Sequence, residues 1–187
     1  MGSFQMPMQI AAGIRLERAR SRLPFRAVNC PGKPDYDKGM QRHHLLPCQL
    51  LTKRCFEPLL GSLGRDTLNF DDFRSNGLLL PAADEAAIRF GLPLHRGPHR
   101  DYNALVMERV GQIEAVWSTR RLRVPDLALV EALERLQLLQ RALRRRLLAQ
   151  RRPLRLNRYD PVGRSFDFTE LDAMADLLWP ATDLSAA

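Results

Sequence analysis

The chain has 187 residues, of which 45% are hydrophobic and 27% charged, and this composition is that of a compact folded domain rather than a largely disordered chain. Lys+Arg 29 against Asp+Glu 21 give a net charge of +8, which favours an anionic polymer as partner. No apolar run is long enough for a membrane helix, and the first twenty residues lack a signal-peptide core, so synthesis in the cytoplasm is expected. Three cysteines without a CxxC pair predict neither a disulfide framework nor a zinc ribbon.

The first third of the chain predicts a helix, a connector and a short strand. The apolar and then arginine-rich stretch Met8–Arg22 predicts a helix. Glycine and proline breaks make residues 29–39 a turn-rich connector. The stretch MQRHHLLP, residues 40–47, then predicts a strand end before Pro47, and leucines at helical spacing predict a helical segment over residues 48–64 that Pro58 and Gly61 limit.

The middle of the chain predicts a buried strand and two helices. Asn76-Gly77 before three leucines predicts a turn that leads into a short buried strand. Asp84 is expected to cap a short helix that ends at Gly91. Pro98 is expected to begin a longer amphipathic helix that extends to Trp117.

The last third is rich in leucine and arginine. A basic link over residues 118–125 precedes a long helix that Asp126 is expected to cap. Leucines near heptad spacing predict a core or self-association stripe on this helix: Leu129, Leu133, Leu136, Leu143 and Leu147. Nine arginines lie between Arg141 and Arg164, either as a solvated face or as a phosphate-binding patch. A final amphipathic helix is expected over residues 166–180.

All four histidines fall into two close pairs, His43 with His44 and His95 with His99. Neutral imidazole nitrogens bind divalent cations, and an imidazole can also take the proton from an attacking water. His95 and His99 have ligand spacing but lack the glutamate of the HExxH motif, and Gly97-Pro98 would break a helix between them. His95 is therefore expected in a loop and His99 in the first turn of a helix, where a phosphate is also favoured.

Three stretches in this order resemble the HNH/endonuclease VII superfamily of His-Me finger (ββα-metal) nucleases, and within it the AHH group common among bacterial toxin domains. They are RHHLLP at residues 42–47, SNGLLLP at residues 75–81 and HRGPHRDY at residues 95–102, and they span about one third of the chain. The resemblance implies an α+β fold, mainly helical, around a ββα-metal hairpin-helix core. The expected division is residues 1–40 for the N-terminal helix and connector, 41–117 for the nuclease core and 118–187 for an arginine-rich helical extension.

The resemblance also implies residue roles. His44 would be the general base that activates water, and Asn76 would steady the hairpin and orient that base. The ligands of one divalent ion (Mg²⁺, Mn²⁺ or Zn²⁺) would be His43, His95 and His99, with a phosphate contact as the alternative role for His95. Beside these implied roles, the candidates for phosphate or nucleic-acid contacts are Arg96, Arg100, Arg144, Arg145 and Arg146.

Two features depart from a simple transfer of roles. Arg42 stands where the group's name has alanine, which is expected to matter little for the chemistry but to alter packing behind the hairpin. Successive side chains of a strand point to opposite faces, so His43 and His44 reach one site only if the strand ends or bends there. The residues therefore leave open which imidazole is base and which is ligand.

The preferred hypothesis is a metal-dependent endonuclease that cuts DNA, and RNA as a further substrate, with low sequence specificity. By family analogy it would be an antibacterial toxin, delivered into a target bacterial cell and neutralised by an immunity protein. The alternatives are a non-catalytic nucleic-acid-binding module with a structural metal, and an interaction protein that self-associates through its C-terminal leucine-rich helix.

Overall fold

The computed structural model describes residues 21–64, 66–149, 154–156 and 160–161. In these residues the elements are β1 Met40–His44, α1 Glu57–Leu63, α2 Phe73–Asn76, β2 Gly77–Pro81, α3 Asp84–Phe90, α4 Arg100–Arg120 and α5 Pro125–Leu147, with short 3-10 helices at Phe25–Ala27, Cys48–Thr52 and Arg54–Phe56. The predicted α+β, mainly helical class is confirmed. The predicted helix over residues 166–180 lies outside the described residues, as does the predicted helix Met8–Arg22 except for its last two residues, which are not helical.

The two strands form an antiparallel pair in which Met40 lies opposite Pro81 and His44 lies opposite Gly77. The predicted buried strand after Asn76-Gly77 is confirmed as β2, which is buried at four of its five positions. Asn76 itself is the last residue of the helical turn α2 rather than part of a tight hairpin turn. Residues 45–76 connect the strands, so long-range packing rather than turn geometry sets the register.

The helical segment predicted over residues 48–64 is present but divided into two 3-10 helices followed by α1. Pro58 lies in the first turn of α1 and Gly61 lies inside it, so neither limits the helix. Proline is tolerated in a first turn because the N–H that it lacks has no helical partner there. Gly91 ends α3 in the left-handed conformation, as predicted.

The long helices begin and end a few residues away from their predicted bounds. His99 is the N-cap residue of α4, which therefore begins two residues after Pro98. This helix continues to Arg120, so the basic link shortens to residues 121–124. Pro125 lies in the first turn of α5 and Val124 is its N-cap, which displaces Asp126 from the predicted capping position.

The core is one continuous apolar cluster that α4 and α5 share with the segment after β1. The leucine stripe of α5 belongs to it: Leu133, Leu136, Leu143 and Leu147 are buried, and Leu129 packs against the cluster. The cluster extends from Leu45 to Leu156 and so contains residues of both the predicted nuclease core and the predicted extension. Within the described part of the chain, no helix combines the length and apolarity needed to cross a membrane.

Candidate metal centre

Three of the four histidines converge at the junction of β1, β2 and α4. His43 is the fourth residue of β1 and only 4% exposed. His95 lies in the loop after α3, and its backbone N–H donates to the carbonyl of Pro81 at 2.6 Å, which ties that loop to the end of β2. His99 follows four residues later as the N-cap of α4. The strand pair and the helix thus place the three rings together in the ββα arrangement.

His43, His95 and His99 form a compact group, which we call the histidine triad. Their ring centroids are 5.0 Å apart for His43 and His95, 5.6 Å for His43 and His99, and 4.4 Å for His95 and His99. One nitrogen from each ring lies within 4.8 Å of the other two, so the triad could hold a metal ion. These are the three histidines that the resemblance implied as ligands.

Two outer contacts orient the triad. Nδ1 of His99 lies 3.4 Å from the carbonyl oxygen of Leu156, and Nδ1 of His95 lies 3.0 Å from Oε1 of Gln41. Because a carbonyl oxygen only accepts, Nδ1 of His99 carries the proton and Nε2 keeps a lone pair. A hydrogen bond to the second ring nitrogen is the usual way in which proteins orient metal-binding histidines.

The third ring, His43, has a buried nitrogen for which the described part of the chain provides no partner. Its Nε2 makes no hydrogen bond among the described residues. The ring is enclosed by the other two histidines and by Tyr102, whose centroid lies 4.9 Å away and whose hydroxyl donates to the carbonyl of Leu45 at 2.7 Å. A buried nitrogen in this state costs free energy unless a ligand takes its lone pair. The donor set therefore fits a cation.

The electrostatics keep the triad neutral. Burial, followed by the positive charges of the neighbouring histidines, lowers the pKa of His43 well below its ordinary value. The same two causes lower the pKa of His95 to about 4. Burial also lowers the pKa of His99, although its contact with the carbonyl of Leu156 opposes the shift. Near pH 7 all three rings thus offer lone pairs without first releasing a proton.

His44 lies on the other face of β1, as strand alternation requires. Its ring stacks on the ring of Phe25, with centroids 3.7 Å apart and planes 3° from parallel. Burial lowers the pKa of His44, while the negative charge of Asp71 raises it. The two adjacent imidazoles therefore do not converge on one point: His43 faces the triad and His44 faces Phe25.

Asn76 is fully buried, and its side-chain amide makes four hydrogen bonds, two through Oδ1 and two through Nδ2. Its Oδ1 accepts from the backbone N–H of Leu46 at 2.7 Å and from Nε2 of Gln140 at 3.2 Å. Its Nδ2 donates to the carbonyls of Leu46 and Phe70, each at 3.2 Å. Asn76 thus joins the segment after β1 to the start of β2, and its contacts go to backbone near His44 rather than to the imidazole.

The candidate arginines lie in different environments. Arg100 and Arg145 are exposed, and Arg96 forms an exposed ion pair with Asp84 at 3.4 Å. Arg144 donates to the carbonyls of Arg74 at 2.7 Å and Ser75 at 3.4 Å, so it braces α5 against α2. Arg146 is partly buried.

Sequence reasoning missed residues that support the triad from far along the chain. Asp160 is only 4% exposed, and its Oδ2 accepts from the backbone N–H of Leu94 at 3.0 Å, directly before His95. Leu156 supplies the carbonyl beside His99. No local pattern marks these residues or Gln41 and Phe25, because their contacts depend on how distant segments pack.

A protein-family model matches residues 26–143, more than half of the chain. It describes AHH, a nuclease family of the HNH/ENDO VII superfamily with conserved AHH. No curated protein and no solved structure matches the chain significantly. The family match begins directly after Phe25 and ends before Leu156 and Asp160.

Proposed function

The chain belongs to the AHH family of nucleases in the HNH/endonuclease VII superfamily, and from this premise we propose that it is a metal-dependent endonuclease that hydrolyses DNA with low sequence specificity. The observation that carries the proposal is the histidine triad, whose three imidazoles are kept neutral. One of its nitrogens, Nε2 of His43, is buried and has no hydrogen-bond partner among the described residues. If His43 served only the fold, we would expect a protein group to form a hydrogen bond with this nitrogen.

The triad would hold one divalent cation through a nitrogen of each ring. When bound, such an ion polarises the phosphate and stabilises charge on the leaving oxygen. Imidazole suits zinc better than it suits magnesium or manganese, which prefer oxygen ligands. Since the triad contains no carboxylate, we favour Zn²⁺ over Mg²⁺ and Mn²⁺.

His44 would act as the general base. Its lowered pKa keeps the imidazole neutral near pH 7 and able to accept a proton. In the proposed step the oxygen of a water forms a bond to phosphorus, the water proton moves to a ring nitrogen of His44, and the bond between phosphorus and the leaving oxygen breaks. The leaving oxygen takes a proton from solvent, and His44 returns its proton to solvent.

Positive charge near the triad would bind the phosphate backbone. Arg96 and Arg100 flank His99 in the chain, and the exposed ion pair of Arg96 with Asp84 is weak enough for a phosphate to compete. The N-terminus of α4 adds the favourable end of a 21-residue helix dipole. We propose that Arg145 and Arg146 of α5 make a secondary contact with the phosphate backbone. Arg144 is used inside the protein, so its phosphate role is the least supported of the five arginines. Phosphate contacts carry no base information, which is the reason for low specificity.

The wider biological role is proposed from the resemblance to toxin nucleases. On that analogy the chain would act in a bacterial cell into which it is delivered, would tolerate RNA as well as DNA, and would be neutralised by an immunity protein. Self-association through the C-terminal helix would need a surface other than the leucine stripe, because Leu136 and Leu143 are fully buried in the core. Light scattering of the purified chain tests self-association directly.

Plasmid digestion by metal-stripped protein tests the proposed activity. Supercoiled DNA is incubated with the stripped chain alone and after addition of Zn²⁺, Mn²⁺ or Mg²⁺, and zinc binding is followed by calorimetry. We expect no cutting without metal and cutting after metal addition. A chain that binds zinc and DNA but leaves the plasmid intact with each metal would instead be the non-catalytic binding module.

Single substitutions separate the proposed roles. His44→Ala should bind zinc like the wild type yet lose at least about 100-fold in rate, the scale of a general base. His99→Ala should lose both metal binding and cutting. Arg100→Ala should weaken DNA binding, whereas Arg123→Ala, an exposed arginine beyond the far end of α4 and about 30 Å from His99, serves as the matched charge control. Cutting by His44→Ala at the wild-type rate would contradict the assignment of the base.

A further inference from the structure

The ring of His44 is held by an aromatic residue that lies just outside the family match. Phe25 is 7% exposed and covers one face of the imidazole at 3.7 Å, with the two planes 3° from parallel. A flat ring against one face restricts rotation of the imidazole about its side-chain bonds, and a face-to-face stack does not itself use the ring edge that carries the nitrogens. The stack therefore restricts orientation without occupying a nitrogen.

Phe25 is itself held on both sides. Its backbone N–H donates to the carbonyl of Asp71 at 3.2 Å, and its own carbonyl accepts from Nη1 of Arg42 at 2.7 Å. Its ring meets the ring of Phe73 edge-on, with centroids 5.2 Å apart. The ring of Phe73 in turn occupies the space that a Cβ at Gly77 would need, and Gly77 is the residue opposite His44 in the sheet.

Arg42 stands where the family description has alanine, and its place in the strand explains what it contributes. Residues two apart on a strand project to the same face, so Arg42 and His44 point together and away from His43. From that face Arg42 reaches the carbonyl of the residue that stacks on His44. An alanine could not make this contact.

We propose that Phe25 is a positioning residue for the general base and that Arg42 fixes Phe25 over it. The inference rests on the proposed function, because it takes His44 as the base. Phe25 would set the plane in which a ring nitrogen of His44 meets the attacking water. Holding a reacting group in orientation is worth large factors in rate, and a displacement of about 1 Å can cost on the order of 100-fold.

The test compares flat and non-flat side chains at position 25 in the full chain. Phe25→Leu keeps apolar volume but removes the plane, and Phe25→Tyr restores the plane. We expect Phe25→Leu to lower kcat on plasmid or oligonucleotide DNA by about 10- to 100-fold, with KM and the zinc Kd each within about twofold of wild type. Phe25→Tyr should recover most of the rate, and Arg42→Ala should lie between wild type and Phe25→Leu.

Proton NMR at pH 7.5 gives a readout independent of activity. Stacking on Phe25 should shift the ring protons of His44 upfield through the ring current, and His44→Ala identifies these signals. The shift should disappear in Phe25→Leu and persist in Phe25→Tyr. A wild-type shift equal to that of Phe25→Leu would overturn the proposed stack even if no DNA were cut.

The outcomes distinguish this inference from the proposed function. An active wild type with an inactive His44→Ala, together with full activity in Phe25→Leu, would overturn the positioning role alone. Loss of zinc affinity together with rate in Phe25→Leu would also overturn it, because the residue would then serve the fold and not the base. Absence of cutting by the wild type with every metal would refute the proposed function, while the NMR comparison still decides whether Phe25 orients His44.

Discussion

Replacing Asn76 by alanine is expected to lower the free energy of unfolding by about 4 kcal/mol. The side chain makes four hydrogen bonds in a fully buried position, and a net value near 1 kcal/mol for each gives this figure. The substitution would leave the buried backbone N–H of Leu46 without the acceptor that it now has at 2.7 Å, and a buried donor without a partner is costly. For a chain of this size, the substitution should lower the midpoint of thermal unfolding by about 10 °C.

Urea denaturation followed by circular dichroism measures this change. Asn103→Ala is the matched control, since among the described residues the side chain of Asn103 bonds only to the exposed side chain of Gln49, and such surface changes usually alter stability by less than about 0.5 kcal/mol. Asn76→Asp provides a second comparison, because a carboxylate keeps the acceptors but cannot donate to the carbonyls of Leu46 and Phe70. At pH 8, Asn76→Asp should lower the free energy of unfolding at least as much as Asn76→Ala does. A loss below about 1 kcal/mol in Asn76→Ala would refute the reasoning that this amide joins the segment after β1 to the start of β2.

Three further substitutions or conditions test other parts of the site. Gly77→Ala should lower the free energy of unfolding by about 1–3 kcal/mol, because the added methyl group would overpack against Phe73. The control is Gly111→Ala, which should not destabilise the protein because a Cβ there meets nothing within 4 Å. Equal urea midpoints for the two variants would contradict the proposed clash. Zinc affinity, measured by calorimetry, should decline only below the pH near 6.5 that ordinary histidines would give, because burial lowers the pKa of His43 and of His99. It should decline further as pH approaches about 4 and His95 becomes protonated. A decline centred near 6.5 would show ordinary, unshifted histidines. Asp160→Ala should weaken zinc binding about tenfold, because it releases the backbone of Leu94 next to His95. Asp160→Asn should keep the wild-type zinc affinity, because an amide oxygen can still accept from the N–H of Leu94. Unchanged zinc affinity in Asp160→Ala would exclude a role of Asp160 in supporting the triad.

Much of the local structure follows from short-range signals. The leucines after Asn76-Gly77 and the glycine at position 91 identify β2 and the end of α3 without reference to the rest of the chain. Helix bounds were less well predicted near prolines. A proline can sit in a first turn without losing a hydrogen bond, so Pro58 and Pro125 lie inside helix starts.

The environment of the arginines depends on packing that composition does not describe. Arg144 and Arg145 are neighbours in a basic run, yet the first donates to carbonyls of α2 and the second is exposed. Helical geometry turns successive side chains by about 100°, so only the position of α5 on the body decides which arginine faces the protein. A count of positive charges therefore overestimates the number that can meet a phosphate.

The sequence by itself identified the candidate residues of the site to a large extent: two histidine pairs, their order, and the elements that carry them. Strand alternation predicted that His43 and His44 would point to opposite faces unless the strand ended or bent there, but it could not say which of them faced the triad. That choice depends on which side of β1 the loop of His95 and the start of α4 cover. The ring stack on His44 comes from Phe25, the carbonyl beside His99 from Leu156, and the carboxylate that binds the backbone next to His95 from Asp160. Only the tertiary structure brings these groups to the site, because a hydrogen bond or ring stack between distant segments leaves no periodic signal in the sequence of either.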